Sequence, residues 1–122
     1  MSGLPIADDV LDADVDVLSL QETANALGVS ANKVRQMLRD GDLIAVRRKG
    51  DLFVPSAFLV KDGIAKGLKG TITVLLDSGF TQTEMLRWLF AEDASLPGGN
   101  PVNALRTSHH TEVKRRAQAM AF

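Results

Sequence analysis

Apolar residues first recur at helical spacing near position 20. Ser19 and Glu22 match a capping box, in which a serine and a glutamate three residues later satisfy free amides at a helix start. Positions i, i+3, i+4 and i+7 then form one stripe, Leu20, Thr23, Ala24 and Leu27. Gly28 follows, and glycine tolerates the positive φ that ends a helix in a tight turn. The pattern predicts a helix from residue 20 to about residue 27.

A second helix is predicted directly after this turn. Ser30 suits its N-cap, Val34, Met37 and Leu38 form its inner face, and Gly41 follows its last turn. Two short helices joined by a turn with glycine describe a helix-turn-helix. Thr23 departs from this pattern, because an apolar residue would fit better at a buried position. An unrelated helical hairpin would show part of the same pattern.

The segment after the second helix has the pattern of a β-hairpin. Two short runs, residues 43–48 and 52–54, are separated by Lys49-Gly50-Asp51, and Pro55 closes the second run. A hairpin in this position would be the wing of a winged helix-turn-helix. We expect this unit to span residues 17–62.

The second half of the chain has helical patterns separated by glycine and proline. Residues 63–70 hold three glycines among charged residues and are interpreted as a connector. Thr81 and Glu84 form a second capping box. Helices are predicted over residues 71–79, over 81–91 with Met85, Trp88 and Leu89 as the apolar stripe, from Pro101 after the loop 97–101, and from about Thr111.

These elements predict a mainly α fold with a small β-hairpin. The winged helix-turn-helix of residues 17–62 is expected to precede a compact helical C-terminal subdomain, residues 71–122. Each half is short for an independent core, so we expect the two to pack together through Phe58, Leu59 and Trp88.

Charge is unevenly distributed along the chain. The 122 residues carry a net charge of −1, but the first 16 hold five aspartates and no basic residue. Residues 30–49 hold six basic and two acidic side chains. A local cluster of positive charge, rather than a basic total, is the electrostatic mark of nucleic-acid binding.

Residues 1–16 are predicted to be an acidic disordered tail. Two interpretations of this tail stay open. It is either a solvated leader or a segment that competes with DNA phosphates for the basic surface.

The exposed side of the second helix carries the candidate base contacts. Asn32 and Gln36 lie at its centre, Arg35 and Arg39 on one edge, and Lys33 on the other. Asparagine and glutamine can pair with adenine through two hydrogen bonds, and arginine can pair with guanine in the same way. Backbone amides near Ser30 are candidates for a phosphate contact, because they lie at a helix N-terminus.

Three consecutive cations, Arg47, Arg48 and Lys49, crowd the tip of the predicted hairpin. They are candidate contacts to DNA phosphates or to the minor groove. The alternative is a charged strand edge that prevents aggregation.

Other kinds of site find little support in the sequence. No cysteine is present, His109-His110 with Glu112 lacks a suitably spaced third metal ligand, and no catalytic set is visible. Trp88 has the spacing of a core residue rather than of a base-stacking platform. We expect no enzyme activity, no cofactor, no metal and no membrane segment, and a cytoplasmic, nucleoid location.

The segment Leu18 to Leu59, with Gly41-Asp42-Leu43-Ile44-Ala45-Val46-Arg47-Arg48 after the second helix, resembles the winged helix-turn-helix of MerR and excisionase proteins. With the Trp88 helix, the loop 97–101 and the basic end 111–119, it is similar to a small actinobacterial family of DNA-binding proteins. The helical half more weakly resembles Xre/ParS-type antitoxins. The resemblance implies double-stranded DNA binding without catalysis. MerR-type dimerisation is not carried over, because no long heptad run is present.

The function predicted is therefore sequence-preferring binding of double-stranded DNA, in transcriptional regulation or nucleoid association. The helix 30–40 would enter the major groove, and the wing 46–51 would contact the backbone or the minor groove. The alternative is a protein-interaction module, an antitoxin-like adaptor that binds a protein partner through its helical half. The sequence leaves homo-oligomerisation open.

Overall fold

A helix-turn-helix lies at the centre of the N-terminal half. The computed structural model describes residues 6–61 and 63–120. Helix α1 (Leu20–Leu27) begins with the capping box of Ser19 and Glu22, and helix α2 (Ala31–Arg39) begins after Ser30. Gly28 has a φ of 71° in the turn between them. The helix-turn-helix prediction is confirmed.

The odd residue of the pattern, Thr23, is fully buried. Its hydroxyl Oγ1 donates a hydrogen bond to the carbonyl oxygen of Ser19 at 2.8 Å. A buried hydroxyl is stable when its hydrogen bond is made within its own helix. The position is therefore compatible with threonine, although its packing resembles that of an apolar residue.

The predicted hairpin belongs to a larger sheet. Strands β1 (Ile6–Ala7), β2 (Val17–Ser19), β3 (Ala45–Arg48) and β4 (Asp51–Pro55) lie in the order β1-β3-β4-β2. The hairpin β3–β4 is antiparallel, β2 pairs antiparallel with β4, and β1 pairs parallel with β3. The hairpin was predicted, whereas its two flanking strands were not.

The expectation of a disordered tail over residues 1–16 is wrong for residues 6–16, and residues 1–5 lie outside the described part of the chain. Ile6 and Ala7 pair with Ala45 and Val46 of β3. Val10 and Leu11 pack against the core. The prediction was based on the five aspartates and did not consider the apolar residues between them. Burial of these apolar side chains stabilises the segment against the core. We call residues 6–16 the N-terminal arm.

After β4, a 3₁₀ turn (Ser56–Phe58) and β5 (Leu59–Val60) complete the N-terminal half, and β6 (Gly63–Ile64) follows. The described part of the C-terminal half contains four helices, α3 (Leu68–Asp77), α4 (Gln82–Phe90), α5 (Pro101–Arg106) and α6 (His110–Ala119), with a 3₁₀ turn (Pro97–Gly99) before α5. Thr81 and Glu84 form the predicted capping box. In the described residues, no helix is long and apolar enough to cross a membrane.

The connector predicted over residues 63–70 is only partly a connector. Residues 63 and 64 form β6, which pairs with β5, and α3 begins at Leu68 rather than at Thr71. Gly70 lowers the helix propensity by about 1 kcal/mol relative to alanine. Burial of the side chains of Leu68, Thr71 and Ile72 opposes that loss. Tertiary packing therefore extends the helix through a residue that propensity alone would exclude.

The two halves share one core. The Phe58 and Phe90 rings pack with centroids 5.8 Å apart at an interplanar angle of 54°. Arg106 of α5 donates from Nη1 to the carbonyl oxygens of Ala57, at 3.0 Å, and Leu59. Trp88 was expected in this contact. Trp88 packs against the core cluster and lines a groove within the C-terminal half, and Phe90 makes the aromatic contact to Phe58 of the N-terminal half.

The full chain is expected to unfold in one cooperative transition, because the Phe58–Phe90 contact and the Arg106 hydrogen bonds join the halves. Replacing Phe58 by Ala should lower the free energy of unfolding by about 3–5 kcal/mol, since it leaves a cavity in the shared core. Differential scanning calorimetry measures both effects.

Leu76→Ala is the control, since Leu76 is 40% exposed. This change should alter the free energy of unfolding by roughly 0.5 kcal/mol or less. Two separate transitions, of which Phe58→Ala shifts only one, would show that the halves fold independently.

Candidate nucleic-acid interface

The outer face of α2 consists of polar and basic side chains. Val34 and Leu38 are buried against the core, and Met37 is half-buried. The predicted contact residues on the other side are all exposed: Asn32, Lys33, Arg35, Gln36 and Arg39. No acidic residue occurs in α2, and the first one follows at Asp40. The packing of α2 therefore turns a continuous positive and amide-bearing surface outward.

Three of the side chains near the end of α2 are connected. Arg39 Nη1 donates to Gln36 Oε1 at 3.5 Å, and Gln36 Nε2 donates to Asp40 Oδ1 at 2.9 Å. The Gln36 amide thus lies between a cation and a carboxylate, and its second N–H is left for another acceptor.

Ser30 acts as the N-cap of α2. Its Oγ accepts a hydrogen bond from the Lys33 backbone N–H at 3.0 Å. The hydroxyl is engaged in the helix cap, whereas the amides of Ala31 and Asn32 belong to the first turn, where a helix offers them no carbonyl partner. The positive end of the helix dipole lies at the same place.

The tip of the β3–β4 hairpin, or wing, is a two-residue turn. Lys49 has a φ of 52° and Gly50 has a φ of 81°. Two positive φ values at the central positions are those of a type I′ turn, which matches the twist of a hairpin. Arg47 of β3 and Lys49 of the turn are exposed, so the wing carries two accessible cations.

Arg48, the third predicted contact residue of the wing, is in a different environment. Its Nε donates to Asp9 Oδ2 at 2.6 Å and its Nη2 donates to Asp9 Oδ1 at 3.1 Å. The two side chains are 18% and 25% exposed. The hydrogen bond from Arg48 lowers the pKa of Asp9, and the same bond raises the pKa of Arg48.

An open groove separates α2 from the wing. Arg35 of α2 lines the groove, and so do Asp51, Leu52 and Phe53 of β4, together with Ser19 and Leu20. The helix and the wing therefore flank a common depression, and Arg35 lies on the edge of α2 that faces the wing.

Sequence reasoning missed two partners of this region, Asp9 and Lys69. Lys69 Nζ of α3 lies 2.9 Å from Asp42 Oδ1, just after α2, and this contact raises the pKa of Lys69. Both pairs join residues far apart in sequence. Only the opposite charges of the arm and the wing hinted at the Asp9 pair.

The basic run at the end of the chain is mostly engaged. Arg115 and Arg116 both bind Glu112, and Arg116 also binds Asp93 at 2.9 Å. His109 and His110 lie at the N-terminal end of α6. Within residues 6–61 and 63–120, no group of three or more histidine or acidic side chains has the arrangement of a metal site.

Comparisons with known proteins match both halves. A family model described as "DNA-binding protein Rv2175c, wHTH domain" matches residues 3–59. A second model, "Rv2175c C-terminal domain of unknown function", matches residues 65–121. The DNA-binding protein Rv2175c of Mycobacterium tuberculosis (strain ATCC 25618 / H37Rv) is 42% identical over 134 residues, which cover 100% of this chain and 92% of that protein.

A solved structure has the same fold. The chain titled "NMR structure of Rv2175c" matches with a TM-score of 0.88 and 41% identity, over 99% of this chain and 91% of that one. The predicted fold class, a winged helix-turn-helix followed by a helical C-terminal domain, is confirmed. The matches to both domain models and to a full-length relative show that this chain belongs to the Rv2175c family.

Proposed function

We propose that this protein binds double-stranded DNA with sequence preference. Helix α2 enters the major groove, and the wing contacts the backbone or the minor groove. The main support for this proposal is the outer face of α2, the second helix of the helix-turn-helix. This face exposes five basic or amide side chains, and α2 contains no acidic residue. The name of the relative, a DNA-binding protein, supports the same conclusion.

Some side chains of α2 contact base edges, and others contact phosphates. Asn32 and Gln36 supply the paired donor and acceptor that adenine requires, and Arg35 and Arg39 supply the two donors that guanine accepts. Lys33 and the amides at the Ser30 end of α2 hold phosphates. Arg47 and Lys49 of the wing contact the DNA phosphate backbone.

The biological role that fits this chemistry is transcriptional regulation or nucleoid association in the cytoplasm. Binding alone performs it, without catalysis or a cofactor. The likeness of residues 18–59 to MerR and excisionase winged helices supports the groove assignments, and the likeness to Xre/ParS antitoxins stays a prediction.

The alternative function is binding of a protein partner through the C-terminal half. Met120 is 47% exposed and lines one groove together with Trp88 and Pro101. An antitoxin-like adaptor would use such an apolar surface. Co-purification of a protein at one-to-one stoichiometry, without retention of duplex DNA, would favour this alternative.

Gln36→Ala and Arg39→Ala are expected to reduce sequence preference more than general affinity. A paired base contact contributes about 1–3 kcal/mol of discrimination against the wrong base. The measurement is the ratio of dissociation constants for a duplex selected from a random pool and for its scrambled version.

Arg47→Ala is expected to weaken binding to all duplexes similarly. Loss of one phosphate contact should also reduce the slope of log K against log salt by about 1. Titrations of the selected and scrambled duplexes over a salt series measure both quantities.

Lys114→Ala is the matched control for Arg47→Ala. Lys114 is an exposed cation on α6, a helix that packs against α3 and α5. Its replacement should leave the salt slope unchanged. If wing variants lost specificity while α2 variants lost only general affinity, the two assignments would be reversed. If none of the changes in α2 or the wing affected DNA binding, the protein-interaction alternative would be favoured.

A further inference from the structure

The N-terminal arm lies along the edge of β3 that is opposite to β4. Its first residues, Ile6 and Ala7, pair with β3, and the Asp8 backbone N–H donates to Thr83 Oγ1 of α4 at 2.9 Å. At the other end of the arm, the carbonyl oxygen of Asp16 accepts a hydrogen bond from the Ser56 backbone N–H at 3.0 Å. The arm is thus attached at both ends, and Asp9 stays close to the wing.

Asp9 binds Arg48 as a phosphate would. Its two oxygens accept hydrogen bonds from the Nε and Nη2 of one guanidinium, at 2.6 and 3.1 Å, which is the paired geometry that arginine forms with carboxylates and phosphates alike. The pair lies at the surface, with the Arg48 and Asp9 side chains 18% and 25% exposed, and it is electrically neutral as a unit. A DNA phosphate approaching this part of the wing meets a cation whose charge is already matched.

We infer that Asp9 sets the number of wing cations available to DNA. While the arm is docked, Asp9 occupies Arg48 in place of a phosphate, and the wing holds DNA through Arg47 and Lys49. Arg48 adds its own phosphate contact when Asp9 no longer holds it. This inference rests on the proposed DNA binding.

The geometry favours competition by Asp9 over a supporting role. A tethered carboxylate has a high effective concentration at its partner, so a phosphate displaces it only at a cost in binding free energy. The other two cations of the tip, Arg47 and Lys49, have no carboxylate partner among the described residues. Asp51, the first residue of β4, lies opposite Arg48 in the hairpin ladder. The arm therefore acts on one wing residue rather than on the wing as a whole.

The test is the variant Asp9→Asn in the full chain, with a random-sequence duplex as the probe. The slope of log K against log salt should become steeper by about 0.9, the value for one additional phosphate contact on B-form DNA. Affinity near 0.1 M salt should rise roughly five- to tenfold. In an Arg48→Ala background, Asp9→Asn should produce no change in slope, because the cation that it releases is absent.

Asp14→Asn is the matched control. It makes the same change in net charge on the same arm, and Asp14 is exposed and forms no ion pair within the described residues. It should alter affinity by less than about twofold and leave the slope unchanged, since an exposed charge is screened over about 10 Å at 0.1 M salt. Weaker binding or a shallower slope in Asp9→Asn would show that Asp9 orients Arg48 for DNA, and would overturn the inference. An effect equal to that of Asp14→Asn would overturn it too.

The wild type and Arg47→Ala separate this inference from the proposed function. If the wild type binds duplex DNA in a salt-dependent way, Arg47→Ala weakens this binding and Asp9→Asn leaves the affinity and the salt slope unchanged, only the role of Asp9 is refuted. Absence of duplex binding in every variant would refute DNA binding itself. Without any DNA, the Arg48 Nε–H should exchange slowly with water in the wild type and quickly in Asp9→Asn by NMR, and equal rates would refute the pair.

Discussion

Strand β3 is hydrogen-bonded along both of its edges, and this double pairing connects the functional parts of the molecule. On one edge it forms the wing with β4, and on the other it holds the N-terminal arm through Ala45 and Val46. Both of these residues are fully buried. The buried residues Ala45 and Val46 thus fix the register between the arm and the wing. The same strand, β3, continues to Arg47 and Arg48, next to the wing tip.

The helix-turn-helix and the hairpin were predictable because their determinants are local. The capping box of Ser19, the glycine turn at position 28 and the burial period of α2 each operate within a few residues. The same is true of the α4 cap at Thr81. Such elements can be predicted from the sequence because they do not depend on contacts with distant residues.

The features that sequence analysis missed depend on residues far apart in the chain. Asp9 and Arg48 are 39 positions apart, and neither position carries a local pattern that names the other. The arm was predicted to be a disordered tail because its charge is conspicuous and its buried residues are few. Trp88 was placed between the halves as a member of the apolar stripe of α4, whereas Phe90, the last residue of α4, makes the aromatic contact to Phe58. The predicted contact residues on α2 were found from periodicity, and the structure places them on one exposed face.

Formal charge overstates the positive surface of the N-terminal half. Of the six cations in residues 30–49, Arg48 is matched by the arm, and Arg39 contacts an amide that in turn contacts Asp40. Lys69 acts in the opposite sense, because α3 contributes a cation beside Asp42. The C-terminal half therefore reduces the repulsion that Asp42 would exert on a polyanion near the end of α2.

The turn at the wing tip places a lysine in the left-handed backbone region, with a φ of 52° at Lys49. For an L-residue with a Cβ atom, that conformation costs roughly 1–2 kcal/mol, and glycine or asparagine adopts it more easily. An ammonium group at the outermost point of the hairpin is thus maintained at the expense of local backbone stability. Replacing it with a better turn residue would give a more stable hairpin with one less charge, so at this position fold stability and surface charge favour different amino acids.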